Sequence, residues 1–595
     1  MKCVIAGAGP AGVLLALRLA RDGWTVTLIE PHGDPRSPHG AADPHRAYEI
    51  ILADRGVQPL YQAGVNAAEA LRVYTGSVIH AGPGRVLARS VKDNHFPASF
   101  GTRTEISAAL LDTCDLIGMR PPGRVEVLWG HQVEDINLQE RSLTVRVAQV
   151  FYDDLFGDNH HPDEPPPPHD PVGPPGKKQV SPPKKKPSRK ELKERPTVGQ
   201  TRILTYDLLV GADGARSTVR MCLAARLPGF SCRTTPNVMG YCVALLPPAP
   251  TCFKLAPWAH GVGLHGKTHF IAGKQPTSRI PLGNSSMKNR TATSSPSPRL
   301  SPLPGPFSLL LVDAPPGSTA RADGMAGAGR KQHLHSTSIP CPTRAVVIGP
   351  LESLRAVCGS VGRAEAFLIE QFPQLLSDEA LSILADAMGV GASAACHGGW
   401  AVRCSSLVGP RVALIGDAAH GMYPSLGLGC NTALQGASVL ADLLHEAVGT
   451  MKKDDGKVKQ HEGKRHPGEM EEVEESLGAA LMRYNEVWNP QATAAVDMSA
   501  DFYRRQGWFV RASIILQMAH RCLPWFFPKH ATTRLRTLEN LVNLKQGWDS
   551  MYYDSWVALV VLLLLMGVVG AGAVRVTRPW VEPYARWAWA QYHTR

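Results

Sequence analysis

Three glycines near the N-terminus have a spacing that suits phosphate chemistry. Gly7, Gly9 and Gly12 form G-x-G-x-x-G within CVIAGAGPAGVLLALRLARDGWTVTLIE. The first glycine of such a turn permits a tight reversal, the second lets backbone approach a pyrophosphate, and the third lets helix and strand pack closely. A helix beginning there presents free N–H groups and its positive dipole end to an anion. Glu30 follows eighteen residues after Gly12, placed to accept hydrogen bonds from a ribose. An acid at that position disfavours a 2′-phosphate, so NADP is not the ligand of this site. The elements that must position these residues are legible around them. Cys3–Ala6 reads as an apolar strand, Val13–Ala20 as a helix, and Trp24–Ile29 as a second strand ending at Glu30. A dinucleotide follows, with FAD and NAD both open on this motif alone.

Two later stretches share the same strand-turn-helix grammar. Tyr206–Arg220 (YDLLVGADGARSTVR) runs from an apolar strand, Leu208–Val210, into Asp213 and Gly214 and a helix start. Val412–Asn431 (VALIGDAAHGMYPSLGLGCN) runs from Val412–Ile415 into Gly416 and Asp417, then Pro424, Gly427, Gly429 and Asn431, with a helical run from Thr432 to His445. A strand-end aspartate can hydrogen-bond a polyol. The glycines admit a flat ring to the backbone, and the next helix can stabilise negative charge on it. His420 falls in this turn, where a structural role is expected rather than acid–base work.

Composition sets the limits. The chain has 595 residues, 44% hydrophobic and 19% charged, which suits a globular protein and excludes a wholly disordered or polytopic membrane one. The formal net charge of +12 does not indicate a nucleic-acid partner. Nine Lys or Arg against two Glu lie between Lys177 and Arg195, so the excess is concentrated in one Pro-rich run. The twelve cysteines show no C-x-x-C and no zinc spacing, so no metal is expected and the thiols read as reduced and cytosol-facing. Met1 leads straight into a strand pattern, with no leader peptide expected. Segments of about 158–200, 275–306 and 451–475 are polar, charged or Pro-rich and read as inserted loops. By contrast, Trp556–Val574 is nineteen residues without a charge, followed by Arg575, Arg578 and interfacial aromatics from Trp580 to Tyr592. That length predicts one transmembrane helix anchoring the chain to a membrane.

The order of the three glycine-aspartate motifs resembles that of the FAD-dependent aromatic hydroxylases, the para-hydroxybenzoate hydroxylase superfamily. Within it, Tyr48–Gly56, Phe367–Leu375, Arg403–Ser406, Arg483–Tyr503 and Leu523–Lys529 are similar to stretches of the kynurenine 3-monooxygenase branch. The resemblance implies FAD as cofactor, with NAD(P)H and O₂ as co-substrates. It also implies hydroxylation of a small aromatic substrate through a flavin C4a-hydroperoxide. Cofactor contacts implied by it are Gly7, Gly9, Gly12, Glu30, Arg103, Asp213, Gly214, Gly416 and Asp417. Pro424, Gly427, Gly429 and Asn431 would line the flavin edge, and no side chain is nominated as a general base. Arg103 enters because Arg103-Thr104-Glu105-Ile106 opens a helix as the family's Arg-x-x-Leu element does. The branch also implies a tail anchor in the mitochondrial outer membrane, with the body facing the cytosol. A same-fold epoxidase or reductase acting on a membrane lipid, and a non-catalytic scaffold, are the alternatives.

The expected fold class is α/β. A Rossmann-like FAD-binding domain (1–232, resumed at 361–447) is joined by a mixed β-sheet substrate domain (233–360). Residues 448–550 should hold a charged insertion and C-terminal helices, and 551–595 the transmembrane helix and tail. Two departures from the family pattern bear on the substrate. Leu71–Gly84 reads LRVYTGSVIHAGPG where the family carries Gly-Arg-x-x-His, whose arginine holds a substrate carboxylate. Ser425 and Leu426 follow Pro424 where the family has two phenylalanines.

Overall fold

The computed structural model describes residues 1–37, 48–80, 86–90, 96–118, 123–148, 200–248, 267–272, 308–313, 342–372, 376–389, 397–424, 427–454 and 467–504. A six-stranded sheet carries the three motifs. Its order is Val408–Gly409, Val412–Leu414, Leu208–Gly211, Lys2–Ala6, Thr25–Glu30 and Arg124–Trp129, parallel except for the short hairpin formed by the first two. Each inner strand is a short apolar run, as a sheet covered on both faces requires. The helix Pro10–Arg21 buries Val13, Leu14, Leu15, Leu17 and Leu19 completely against it, worth about 1.5–3 kcal/mol for each side chain. Strand order reverses at Lys2–Ala6, where the chain passes first to Thr25–Glu30 on one side and later to Leu208–Gly211 on the other. Such a switch point opens a crevice at the carboxyl ends of the strands.

A seven-stranded mixed sheet forms the second layer, in the order His397–Cys404, Cys232–Pro248, Pro342–Pro350, Ser308–Asp313, Lys267–Ala272, Gly76–His80 and Val86–Ser90. One face is packed by the helices Leu351–Val357, Val361–Gln371 and Asp378–Gly389. The core on that side includes Cys242, Ala244, Leu246, Ala345, Val347, Leu354, Phe367 and Leu384. Strand alternation therefore turns Tyr241, Val243, Leu245, Arg344 and Val346 to the opposite face. A small sheet of Glu49–Leu52, Ser99–Thr102 and Arg72–Val73 stands beside it.

The α/β architecture matches the expectation, but two expectations are corrected. First, the transmembrane helix does not stand. Among the described residues no helix is long and apolar enough to cross a membrane. The long helices Gly429–Asp454 and Pro467–Arg504 are amphipathic, with charged residues along their length and apolar positions such as Leu440, Leu444, Leu481 and Tyr484 in the core. Trp556–Val574 lies outside the described residues. The membrane partner, and the mitochondrial outer-membrane location that the resemblance implied, are not supported by any helix among the described residues. Second, the polar stretch 451–475 is helical at both ends. One helix runs on to Asp454 and the next begins at Pro467, leaving 455–466 outside the described residues. Glu469, Glu471, Glu472, Glu474 and Glu475 favour a helix start, and Lys452 and Lys453 favour a helix end. The stretches 158–199 and 275–306, with the lysine block, also lie outside the described residues.

Candidate functional site

The three motif turns meet at the carboxyl end of the parallel sheet. Ala212 N–H donates to the Ala6 carbonyl (2.8 Å), and Ile415 N–H to the Gly211 carbonyl (2.9 Å). Gly7 has φ +103°, and a Cβ there would lie 2.3 Å from the Ala212 carbonyl oxygen. A Cβ on Gly12 would lie 2.1 Å from the Gly7 carbonyl oxygen. Side chains are thus excluded at both positions. Gly9 differs, because a Cβ there meets nothing within 4 Å. It faces open space at the start of Pro10–Arg21, a helix that no side chain caps. Its first-turn N–H groups are therefore offered to a ligand. Glu30 is buried and held beside this turn, accepting from Ala8 N–H (2.9 Å) and His32 N–H (3.3 Å).

The Gly416–Asp417 turn closes the other end. Gly416 has φ +58° and lies between Ala11 and Ala433, whose Cβ atoms would sit 3.5 Å from a Cβ added to it. Asp417 is accessible to solvent although Gly416, Ala418, Ala419 and His420 around it are buried. It therefore opens into a recess walled by protein. The surrounding protein pushes its carboxyl above the usual carboxylate range, and Arg103 pulls it back. Arg103, itself exposed, also acts on the Tyr48 hydroxyl and the Cys430 thiol. Burial raises both of these, Cys430 to about 12, and Asp417 raises them further. Four residues from distant segments thus lie near enough to act on one another electrostatically. Arg103 is set there by a reciprocal cap: Glu105 N–H donates to Thr102 Oγ1 (3.2 Å), and Thr102 N–H donates to Glu105 Oε2 (2.6 Å).

The remaining sequence-predicted residues divide into those that reach this space and those that support it. Pro424 and Gly427 are exposed, Gly427 with φ +64° and open space where a Cβ would be. Gly429 begins the long helix, and Ser425 and Leu426 lie outside the described residues. Gly214 takes φ +79° in its turn. Asp213 is turned to a different task. Its Oδ2 accepts from Thr218 N–H (2.7 Å) and Val219 N–H (3.3 Å), capping the helix Thr218–Arg226. Asn431, expected at the flavin edge, is buried. Its side chain accepts from Ala53 N–H (3.0 Å) and donates to the Ile51 (2.8 Å) and Gly427 (3.1 Å) carbonyls. It staples the strand Glu49–Leu52 to the glycine loop. His420 is buried, with Nε2 accepting from Trp488 Nε1–H (3.4 Å), and burial lowers it to about 4. That placement supports the structural role expected of it.

Sequence reading missed the charged group beside the recess. Glu49, next to Tyr48, pairs with Arg344 (3.3 Å) and Arg72 (3.4 Å), and Arg72 also pairs with Glu105 (3.4 Å). Arg72 lies over the Phe100 ring, 4.5 Å from its centre. Burial drives Glu49 above the ordinary glutamate range, with the two arginines opposing that shift. Tyr48 meets Tyr241 edge-on, with ring centres 5.0 Å apart, and so joins the small sheet to the open face of the larger one. No single segment holds more than two of these residues, so no spacing announced them.

Comparison with known proteins agrees with this geometry. A family profile described as "FAD binding domain" matches residues 394–476, the stretch that contains the Gly416–Asp417 turn and all of the long helix Gly429–Asp454 after it. Over that stretch the chain is similar to an FAD-binding domain. Kynurenine 3-monooxygenase of Stenotrophomonas maltophilia is 35% identical over 117 residues, 19% of this chain and 25% of the relative. That of Xanthomonas axonopodis pv. citri is 36% identical over the same length. The match thus spans about a quarter of the length of these relatives. A crystal structure of 2-methyl-3-hydroxypyridine-5-carboxylic acid oxygenase overlaps 85% of this chain and 91% of its own, with 17% identity and a TM-score of 0.49. Those values are too low to bear on chemistry. The described residues fit FAD. The open turn at Gly9, the uncapped helix and Glu30 suit an ADP moiety, and Asp417 with Arg103 suits a polyol and ring.

Proposed function

We propose that this chain is an FAD-dependent monooxygenase that uses NAD(P)H and O₂ to hydroxylate a small aromatic ring. The observation that carries the reading is the glycine turn, where a Cβ at Gly12 would meet the Gly7 carbonyl oxygen at 2.1 Å while Gly9 stays open. So close a backbone approach beside an uncapped helix and a fixed carboxylate suits a bound dinucleotide. The chemistry that FAD supplies when bound is acceptance of hydride from a nicotinamide and activation of O₂.

The chain's own residues bind, orient and shield. Gly9 and the first turn of Pro10–Arg21 would receive the pyrophosphate, and Glu30 a ribose hydroxyl. Asp417 would accept from the ribityl chain, with Arg103 balancing its charge. Pro424, Gly427 and the start of the long helix would border the ring. Tyr48 and Tyr241 would wall the ring-binding space and exclude water from it. No side chain is assigned a proton transfer. Support for an aromatic substrate comes from the relatives' name and from that aromatic wall. The test is NAD(P)H consumption by the FAD-loaded chain in air, with the product weighed. A ring compound that accelerates consumption and gains one oxygen supports the proposal. Flavin reduction without oxygen transfer to any aromatic ring would instead mark a reductase.

A further inference from the structure

The open face of the seven-stranded sheet carries a charge pattern that bears on the substrate of the proposed reaction. Arg344 alternates with Ala345 and Val347, which enter the helical core, so its side chain turns to the open face beside Val346 and Val243. There it meets Glu49 at 3.3 Å, and the two side chains are only 4% and 1% exposed. Arg72 approaches the same Glu49 oxygen and then Glu105, both at 3.4 Å. Two guanidiniums are therefore committed to two carboxylates. The other described side chains named on this face, Tyr241, Val243, Leu245 and Val346, are uncharged. Tyr241 leads to Tyr48 and so to Arg103 and Asp417, a further balanced pair.

We infer that the ring-binding space beside this face takes an uncharged aromatic ring, such as a phenol, aniline or aromatic amide, and discriminates against aromatic carboxylates. The inference rests on the proposed hydroxylase reading for what occupies the space. A carboxylate entering here must either displace Glu49 from its arginines or be buried without a counter-charge. Both cost far more than seating a neutral polar group that can share hydrogen bonds. Glu49 is the gate, because neutralising it alone frees positive charge from two arginines.

Matched pairs test this on the FAD-loaded full chain: 2-aminobenzamide against 2-aminobenzoate, and 4-hydroxybenzamide against 4-hydroxybenzoate. Binding is read from the perturbed flavin spectrum and from the ligand-induced rise in melting temperature. The amides should bind at least about tenfold more tightly than the acids. Glu49→Gln should reduce or reverse that preference by about tenfold. Arg72→Met, at a more accessible position, should weaken the acids further and leave the amides unchanged. Lowering the pH should act as Glu49→Gln does, because burial favours the protonated form of Glu49 against the opposing pull of Arg344 and Arg72, with Glu105 adding to the rise. Acids binding as tightly as amides, neither ring binding, or a preference unmoved by both variants would each overturn the inference. A chain that takes up no flavin would contradict the hydroxylase reading instead, and the melting-temperature arm would still decide the charge preference.

Discussion

The glycine turn and the open sheet face are built on opposite principles. At the turn the backbone is the recognition surface: Gly7 and Gly12 exclude side chains, Gly9 leaves a gap, and the helix start offers N–H groups. At the sheet face the side chains are the surface: Arg344, Arg72, Glu49 and Tyr241 are brought together from separate segments. The difference teaches where each kind of site tolerates change. A backbone site fails when a methyl group is added, whereas a side-chain site can be retuned without losing the fold.

The largest expected effect breaks the comparison at its backbone end. Gly12→Ala places a carbon 2.1 Å from the Gly7 carbonyl oxygen, so strand and helix must separate. Flavin affinity should fall by at least about 100-fold, roughly 2.7 kcal/mol. Fluorescence titration with FAD checks this, and near-normal affinity would remove the turn from the account. Gly9→Ala meets no such clash and should fold normally.

Next comes a pH effect that tests the frame shared by both ends. His420 is buried and lowered to about 4, whereas an unfolded histidine titrates near 6.5. The unfolded chain therefore binds the extra proton first. Stability should be full above about pH 6.5 and fall by about 3 kcal/mol as the pH drops toward 4. Denaturant unfolding across that window measures it, and His420→Gln should flatten this part of the profile.

Asn431→Ala sharpens the boundary between the two regions. It strips the Ala53 N–H and the Ile51 and Gly427 carbonyls of a buried partner, at a cost of about 2 kcal/mol. If Asn431 served the ring directly, flavin binding would suffer with little loss of stability. The account expects the reverse. The smallest effect is Thr102→Ala, which removes half of the cap that sets Arg103 and should cost about 1 kcal/mol by chemical denaturation.

The backbone site was legible because its residues are contiguous and each glycine has a steric reason at a fixed offset. The motif strands and helices fell where Cys3–Ala6, Leu208–Val210 and Val412–Ile415 placed them. The stapling role of the Asn431 side chain was not legible, because its partners Ile51 and Ala53 are far away in sequence. Glu49 and Arg344 were invisible for the same reason. Charge alone made 451–475 look like loop, although acids grouped at one helix start and lysines at another helix end were a helix signal. The apolar run at 556–574 was read from its length, its lack of charge and the aromatics after it; it lies outside the described residues, among which no helix is long and apolar enough to cross a membrane.

The central claim is that this chain holds FAD at the glycine turn, and the most direct measurement is the flavin content of the purified full chain. The chain is released by denaturation after incubation with FAD and removal of the excess. The account predicts close to one FAD per chain, sharply reduced in Gly12→Ala and also reduced in Gly9→Ala, whose added methyl meets no protein atom and enters the space left for the pyrophosphate. No flavin in the folded wild-type chain, or equal retention in Gly12→Ala, would contradict it.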